Sequence, residues 1–490
     1  MKPNHVVMVL SDQHRGDLFG AAGNAHISTP NIDRLSAHGV TFTSACCNAP
    51  VCGPSRMSFL TGLLPTSTGV LDNRSSLPSS IPTIAHAMAA AGYRTVLCGR
   101  MHFIGPDQHH GFQERLVGDH GPTDTAFSEH PFGIFDGTTG QDPRALKQSG
   151  AGLSPGMQFD DDVTRAAVAR IASHDSTRPL FLVVGYYGPH NPYVCEQERY
   201  ERYRASLPDI GSGVVDRLLQ NESQAMCEWI TARGLHTVDG ESLNRSRAAY
   251  YGAVERVDAL TGQVFAAADK HFEADTLLKI YTSDHGDMAG EHGLFFKSNM
   301  REPSIRVPLV FSGSGVAHGI SVSTPVSLLD LAPTLTDLAD APPLPGAEGR
   351  SLAEAVRFGT APTEHPIIAM LCDPRSGPSI MVRSGDKKYV HHARNDRHEL
   401  FDLSSGRDEA MEVNDATYES LRSGLRLHFP VSWDGRGIER HMTLQAQRAE
   451  LLRTWKRASP PETTWCEDRF HWKAELSSLY LSRRNAQETD

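Results

Sequence analysis

The chain has 490 residues, 39% hydrophobic and 21% charged, with 47 Lys and Arg against 58 Asp and Glu for a formal charge of −11. This is the composition of a globular protein, neither disordered nor fibrous, with room for two or three domains or for one large α/β domain and an appendage. The acidic balance, with no clustered Lys/Arg surface, excludes a dedicated nucleic-acid binder, and no stretch approaches the roughly 20 apolar residues of a membrane span.

The opening "MKPNHVVMVLSDQHRGD" has one lysine and an apolar run only from Val6 to Leu10, too short for a secretory signal, so a cytoplasmic protein is expected. The eight cysteines are scattered, with only Cys46 and Cys47 adjacent and no repeated CxxC pattern; most are expected to be reduced, buried or inert. "HVVMVLS" (5–11) is the nearly continuous apolar run of a strand buried on both faces. "STPNIDRLSAHG" (28–39) reads as a short helix with Thr29 as N-cap, Pro30 in first position and Gly39 as stop. "NAPVCGPSRMSFLTG" (48–62) places Cys52 in a loop that turns at Gly53 and Pro54 into a helix, with the first amides directed at Cys52 and Arg56 one turn in. "SIPTIAHAMAAAGYRTVLCG" (80–99) gives an Ala-rich helix ending at Gly92 and a strand from Arg94.

Further buried strands follow at 180–186, 277–284 and 307–313, with helical periodicity over 244–272. Alternation of this kind predicts an α/β fold with a mostly parallel sheet sandwiched by helices. After the Pro/Gly-rich connector "DAPPLPGAEGR", short strands at 366–372, 379–385, 387–392 and 398–404 suit a small antiparallel sheet, and amphipathic helices fall within 414–428 and 440–457. The expected division is a catalytic domain over 1–360 and a smaller α+β C-terminal subdomain over 361–490. The aromatic tail "TTWCEDRFHWKAELSSLYLSRRN" is expected to dock on the parent body or on a neighbouring subunit of a homo-oligomer.

Ligands of an open parallel sheet gather beyond the carboxyl ends of its strands. The first strand ends in Asp12 and Gln13, and the strand at 277–283 in Asp284 and His285. Each pair alone suits a turn or a cap. Together they form a set for a divalent cation, two carboxylates offsetting its charge while a neutral oxygen and a nitrogen complete the shell. The Cys52 loop should meet the same edge, where a helix N-terminus and Arg56 would receive an anion and lower a thiol pKa. A cysteine-nucleophile enzyme and an inert structural cysteine both remain open at this point.

"CGPSR" followed by "TG" resembles the type I sulfatase signature C-x-P-S-R…TG, in which the cysteine is oxidised to formylglycine. "SDQHRGD", "TPNIDRLSAHGVTFTSA", "GYRTVLCGRMHF", "GPHNPY" and "SDHGDMAGEHGLFFK" surround it in the family's order. "RMHFIGPDQHHGF", "FDDDV", "HNPYVCEQERY" and "AYYGAVERVD" are similar to the choline-sulfatase-like branch. The resemblance implies an alkaline phosphatase-like fold and a sulfatase that hydrolyses a sulfate monoester to alcohol and inorganic sulfate. It also implies maturation by a formylglycine-generating enzyme. A hydrated aldehyde at position 52 would attack sulfur with one hydroxyl, and ionisation of the other would then collapse the adduct, sparing a second attack at sulfur.

The resemblance carries Asp12, Gln13, Asp284, His285 and the modified Cys52 over as metal ligands. Calcium suits the oxygen-rich set, and His285 shifts the balance toward manganese. Arg56 would orient the hydrate, His102 would be the base for collapse, and His190 and Lys297 would contact the sulfate and the departing oxygen. Arg100 stands where the family usually has lysine: it can clamp a sulfate but cannot donate a proton near neutral pH, so any proton transfer done by that lysine would fall to His190. His14, His109, His110 and His292 have no matched role, and Asp17 and Asp287 are read as turn stabilisers.

The insertion over 118–156 contains three phenylalanines and no tryptophan, a poor aromatic box for choline. Choline, another alkyl or aryl sulfate and a sulfated sugar are therefore all open as substrates. A phosphonate monoester or phosphodiester hydrolase on the same scaffold is the alternative enzyme, and a binding-only protein with unmodified Cys52 is the alternative of another class.

Overall fold

The computed structural model describes residues 2–120, 140–405 and 416–458. The three phenylalanines of the insertion and the aromatic tail lie outside the described residues. The principal sheet has eight strands: β1 (His5–Asp12), β2 (Gly39–Phe42), β3 (Arg94–Gly99), β4 (Glu114–Arg115), β5 (Leu180–Pro189), β6 (Leu277–Ser283), β7 (Leu309–Gly313) and β8 (Ile320–Val322). Their spatial order is β8-β2-β7-β6-β1-β5-β3-β4, and β7 alone runs against the others. A second sheet of four antiparallel strands follows, β9 (Ile367–Asp373), β10 (Gly377–Ser384), β11 (Lys387–His392) and β12 (Arg397–Asp402).

Burial on both faces explains the unbroken apolar run of β1. Val6, Met8 and Leu10 enter one core and Val7 and Val9 the other. All five are at most 1% exposed, a gross contribution on the order of 10 kcal/mol before chain entropy is subtracted. The helices divide in the same way. Met57, Phe59 and Leu60 of Cys52–Thr61, Ile84 and Met88 of Ile84–Ala90, and Leu331 and Leu335 of Leu331–Leu338 cover the first face. Phe159 and Val163 of Pro155–Ala172 and Val257, Val264 and Phe265 of Gly240–His271 cover the second. Leu371, Met381, Val390 and Phe401 of the small sheet join the first core, so the two sheets share apolar packing.

Two local expectations need correction. Thr29 does sit at the N-cap with Pro30 after it, but its hydroxyl accepts from the Gly20 amide (2.9 Å) and donates to Asp33 (3.1 Å) instead of capping the helix. The second concerns Cys52, which is itself the first residue of its helix, behind an extended Val51. The Gly53 amide goes to Asn73 (2.8 Å) and the Ser55 amide to the Val51 carbonyl (3.1 Å), so these amides do not converge on the thiol.

Candidate active site

In-register pairing of β1 with β6 builds the centre. Ser11 lies opposite Ser283, so the next residues, Asp12 and Asp284, emerge side by side at the carboxyl ends of two parallel strands. Cys52 meets them from its helix. One donor atom each from Asp12, Cys52, Asp284 and His285 lies within 4.8 Å of all the others, and all four residues are buried. His285 Nε2 is 3.2 Å from Cys52 Sγ, 3.7 Å from Asp12 Oδ1 and 3.6 Å from Asp284 Oδ1. Its Nδ1 donates to the Gly286 carbonyl (3.0 Å), which directs Nε2 at the cluster. Burial lowers the ring's pKa but Asp284 lifts it above the ordinary value, so without an ion the imidazole favours its charged form, and loss of the Nε2 proton would free a lone pair for a metal.

Gln13 completes this edge. Its backbone has φ +74, and its side-chain amide nitrogen donates to Asp287, 3.3 Å to Asn191 Oδ1 and 3.5 Å to Tyr193. With the nitrogen so held, Gln13 Oε1 is left buried and without a partner among the described residues. A buried acceptor without a donor is destabilising; the Gln13 backbone amide donates to Asp284 (3.1 Å), so the residue adjoins the cluster, and a free amide oxygen is a donor type that suits a hard or borderline divalent cation.

Arg56, fully buried, ties the two acids together: Nε donates to Asp284 Oδ2 (2.7 Å), Nη2 to Asp12 Oδ2 (3.0 Å) and Nη1 to the Arg100 carbonyl (2.7 Å). These contacts are with the two carboxylates, a positioning duty distinct from the hydrate contact the resemblance implies. Arg100 donates from Nε to Asp12 Oδ2 (2.6 Å), from Nη1 toward Asp119 (3.5 Å) and His120 Nε2 (3.0 Å), and from Nη2 to His102 Nδ1 (2.9 Å). A close backbone approach sets it. Gly99 has φ +92 and the Arg100 amide donates to the Gly185 carbonyl (2.8 Å), while a Cβ on Gly185 would fall 2.0 Å from the Arg100 carbonyl oxygen.

Lys297 Nζ lies 3.2 Å from Cys52 Sγ, and His102 and His190 also favour the charged form of the thiol. Burial raises the thiol pKa, but Lys297 and then His285 outweigh it and hold Cys52 well below its ordinary value. Burial likewise raises Asp12, and Arg100 and Lys297 bring it below the usual carboxylate range. His190 is lowered, by burial first and by Lys297 next. Positive φ at Gln13, His102 and both neighbours of Lys297, Phe296 and Ser298, concentrates backbone strain around the centre.

The structure therefore brings Asp12, Cys52, Arg56, Arg100, His102, His190, Asp284, His285 and Lys297 together. Asp119 is the largest omission from the sequence reading: buried, it accepts from the Met101 (3.2 Å) and His102 (2.7 Å) amides and pairs with Arg115 (3.2 Å). No spacing rule marks it. Asp287 does stabilise its turn, through the Ala289 (2.6 Å) and Phe296 (3.2 Å) amides, and it also fixes Gln13 and Tyr193. The acid three residues after Asp284 was its available signal. His14 is structural, between Tyr281 (2.7 Å) and the Leu18 carbonyl (2.8 Å).

The sulfatase family model matches residues 4–341. A choline-sulfatase of Rhizobium meliloti (strain 1021) is 34% identical over 421 residues, 82% of this chain and 81% of that protein. Arylsulfatase K of Mus musculus is 29% identical over 461 residues, 86% of this chain and 79% of that protein. Among solved structures, the phosphonate monoester hydrolase of Agrobacterium radiobacter superposes with a TM-score of 0.69 at 22% identity, covering 91% of this chain and 96% of that one. A 2-O GAG sulfatase does so with a TM-score of 0.68 at 20% identity, covering 94% of each chain. With this site at the carboxyl edge of its sheet, the chain belongs to the sulfatase family and is a sulfuric ester hydrolase.

Proposed function

We propose that the protein cleaves a small-molecule or saccharide sulfate monoester at position 52, carried in the mature enzyme as formylglycine, beside one divalent ion held by Asp12, Gln13, Asp284, His285 and the modified side chain. The observation that carries this reading is the cluster of Asp12, Cys52, Asp284 and His285 donors within 4.8 Å, ringed by Lys297, His102 and His190. The unpartnered Gln13 Oε1 supports the ligand set. When bound, the ion would offset the two carboxylates and polarise the attacking oxygen. Calcium fits the oxygen-rich set and manganese the imidazole.

In the structure the encoded thiol stands for the formylglycine hydroxyls. Lys297, 3.2 Å from that sulfur, is placed to hold a sulfate oxygen and the charge that develops on it. Arg56 restrains the two acids, and Arg100 restrains Asp12 and His102. Proton roles follow from the hydrogen bonds. Arg100 can only donate, so His102 Nδ1 accepts and the neutral ring carries its proton on Nε2. His190 Nδ1 donates to the Asn191 carbonyl (2.7 Å), leaving a lone pair on Nε2. We accordingly assign proton acceptance in the resting site to His190 and donation to His102, the reverse of what the family resemblance implies. The hydrate oxygen forms a bond to sulfur as the ester S–O bond breaks, and the alcohol takes a proton. Loss of the second hydroxyl's proton then re-forms the aldehyde and breaks the C–O bond to sulfate.

Mass analysis of the active-site peptide tests the modification: formylglycine is lighter than cysteine and reacts with carbonyl probes, whereas an unmodified peptide from a host competent in maturation would overturn the reading. Rates on p-nitrophenyl sulfate, phenyl phosphonate and a phosphodiester, with calcium or manganese, test the reaction class. A preference for phosphonate would favour the alternative hydrolase.

A further inference from the structure

We propose that His391, Asp396 and His398 form a second metal site, on the C-terminal sheet, for a borderline divalent ion of the zinc type. It shares no residue with the catalytic cluster. His391 of β11 and His398 of β12 lie directly opposite one another in the antiparallel ladder, and their rings stack with centroids 5.0 Å apart at 18°. Asp396 sits in the connecting turn at φ +49. Its Oδ1 is 3.0 Å from His391 Nε2 and 3.8 Å from His398 Nε2, and all three donor atoms lie within 4.8 Å of one another.

Two imidazoles and a carboxylate are a common zinc donor set, and bonds of about 2.0–2.1 Å in a tetrahedron separate donor atoms by about 3.4 Å. The two carboxylate separations bracket that value, and the imidazole donors lie within 4.8 Å of each other. The surroundings already orient it. Tyr389 Oη lies 2.9 Å from His398 Nδ1, fixing that ring with Nε2 toward Asp396, as an outer partner does in established metal sites. Phe429 stacks on His391 at 6.1 Å and on Tyr389 at 5.8 Å, a rigid apolar wall behind the donors. His391 Nδ1 has no hydrogen-bond partner among the described residues, so no bond there holds the ring. Asp396 is 81% exposed, which opens the site to solvent and to a water as fourth ligand.

Charges bearing on the cluster come from both sides. Arg422 and Arg426, on the helix Ala416–Arg426, act against a positive charge at the histidines, while Asp396 acts for it. The neighbouring His392 is committed to Glu399 (2.9 Å) and to Ser379 (2.9 Å) and is not a ligand. The arginines moderate the affinity, and the carboxylate supplies the balance.

The test uses the full chain with its catalytic centre loaded with calcium and then exposed to zinc. Crystals measured at the zinc absorption edge should show an anomalous peak bonded to His391, Asp396 and His398. Equilibrium dialysis should show one zinc equivalent per chain beyond the catalytic centre, its affinity reduced at least tenfold in His398→Ala and in Asp396→Asn, with sulfate-ester turnover unchanged. Zinc confined to the catalytic centre in the wild-type crystal overturns the proposal, and so does a stoichiometry that both variants leave intact. The wild-type map decides the matter even if His398→Ala fails to fold.

Discussion

Replacing Arg56 by methionine should destabilise the metal-free protein far more than the metal-loaded one. Arg56 is fully buried, and its three donors reach Asp284, Asp12 and the Arg100 carbonyl at 2.7, 3.0 and 2.7 Å. Methionine refills most of the volume, so the loss is electrostatic. Asp12 keeps Arg100 at 2.6 Å, and Asp284 keeps the Gln13 and His285 amides at 3.1 and 2.9 Å but loses its guanidinium. Removing one partner of a buried ion pair costs about 3–5 kcal/mol, and the surviving amides place this variant near 3. Unfolding entropy of about 2.1 cal/mol/K per residue gives the 490-residue chain about 1 kcal/mol/K, so Tm should fall by about 3 °C in chelator. Saturating calcium or manganese supplies two positive charges to the same carboxylates, so the deficit should shrink to about 1 kcal/mol or less. Thermal unfolding of both proteins, with chelator and with ion, measures this. A loss below about 1 kcal/mol in chelator, or one equal in both conditions, refutes the assignment of Arg56 as the tie between Asp12 and Asp284.

Arg100→Lys retains a positive charge beside Asp12 but cannot also reach His120 and His102; with the ring released, kcat should fall on the order of tenfold to a hundredfold and the pH profile should change. Unchanged turnover and profile would show that the guanidinium does not set His102. Gly185→Ala puts a methyl 2.0 Å from the Arg100 carbonyl that accepts from Arg56, so stability should drop by about 1–3 kcal/mol and activity with it, read by unfolding and by rate. Glu399, held down to about 2 despite burial by His392 and Arg301, contributes stability that is present above its ordinary pKa of 4.5 and is lost as pH falls toward 2. Glu399→Gln should therefore cost about 3 kcal/mol near neutral pH and progressively less between pH 4.5 and 2; a difference independent of pH would contradict this.

The central strands were legible because burial on both faces leaves only apolar residues, and the ends of β1 and β6 are abrupt changes to Asp-Gln and Asp-His. The short strands β2, β4 and β8, towards the two margins of the sheet, were not: two to four residues long, they carry too little pattern to separate from loop. At the site, residues beside a motif were legible and those that arrive through the fold were not. Asp119 sits 17 positions from the His102 amide it holds, and Asn191 and Tyr193 reach Gln13 from the end of a different strand. The Cys52 junction was misread for a related reason. Gly-Pro suggests a turn before a helix, but proline is equally at home in a first turn, and the extended Val51 already supplies the break.

That correction changes how the thiol is activated. If the helix amides converged on Cys52, its acidity would come from a dipole and would persist in any fold that kept the helix. Those amides are instead spent on Asn73 and Val51, and the largest favourable charges are Lys297 and His285, which lie 245 and 233 positions away in the chain. The local sequence around Cys52 is thus a recognisable address, while the electrostatics of the site belong to the tertiary structure. A peptide containing "CGPSR" holds Cys52 but neither Lys297 nor His285, the charges that surround it in the fold.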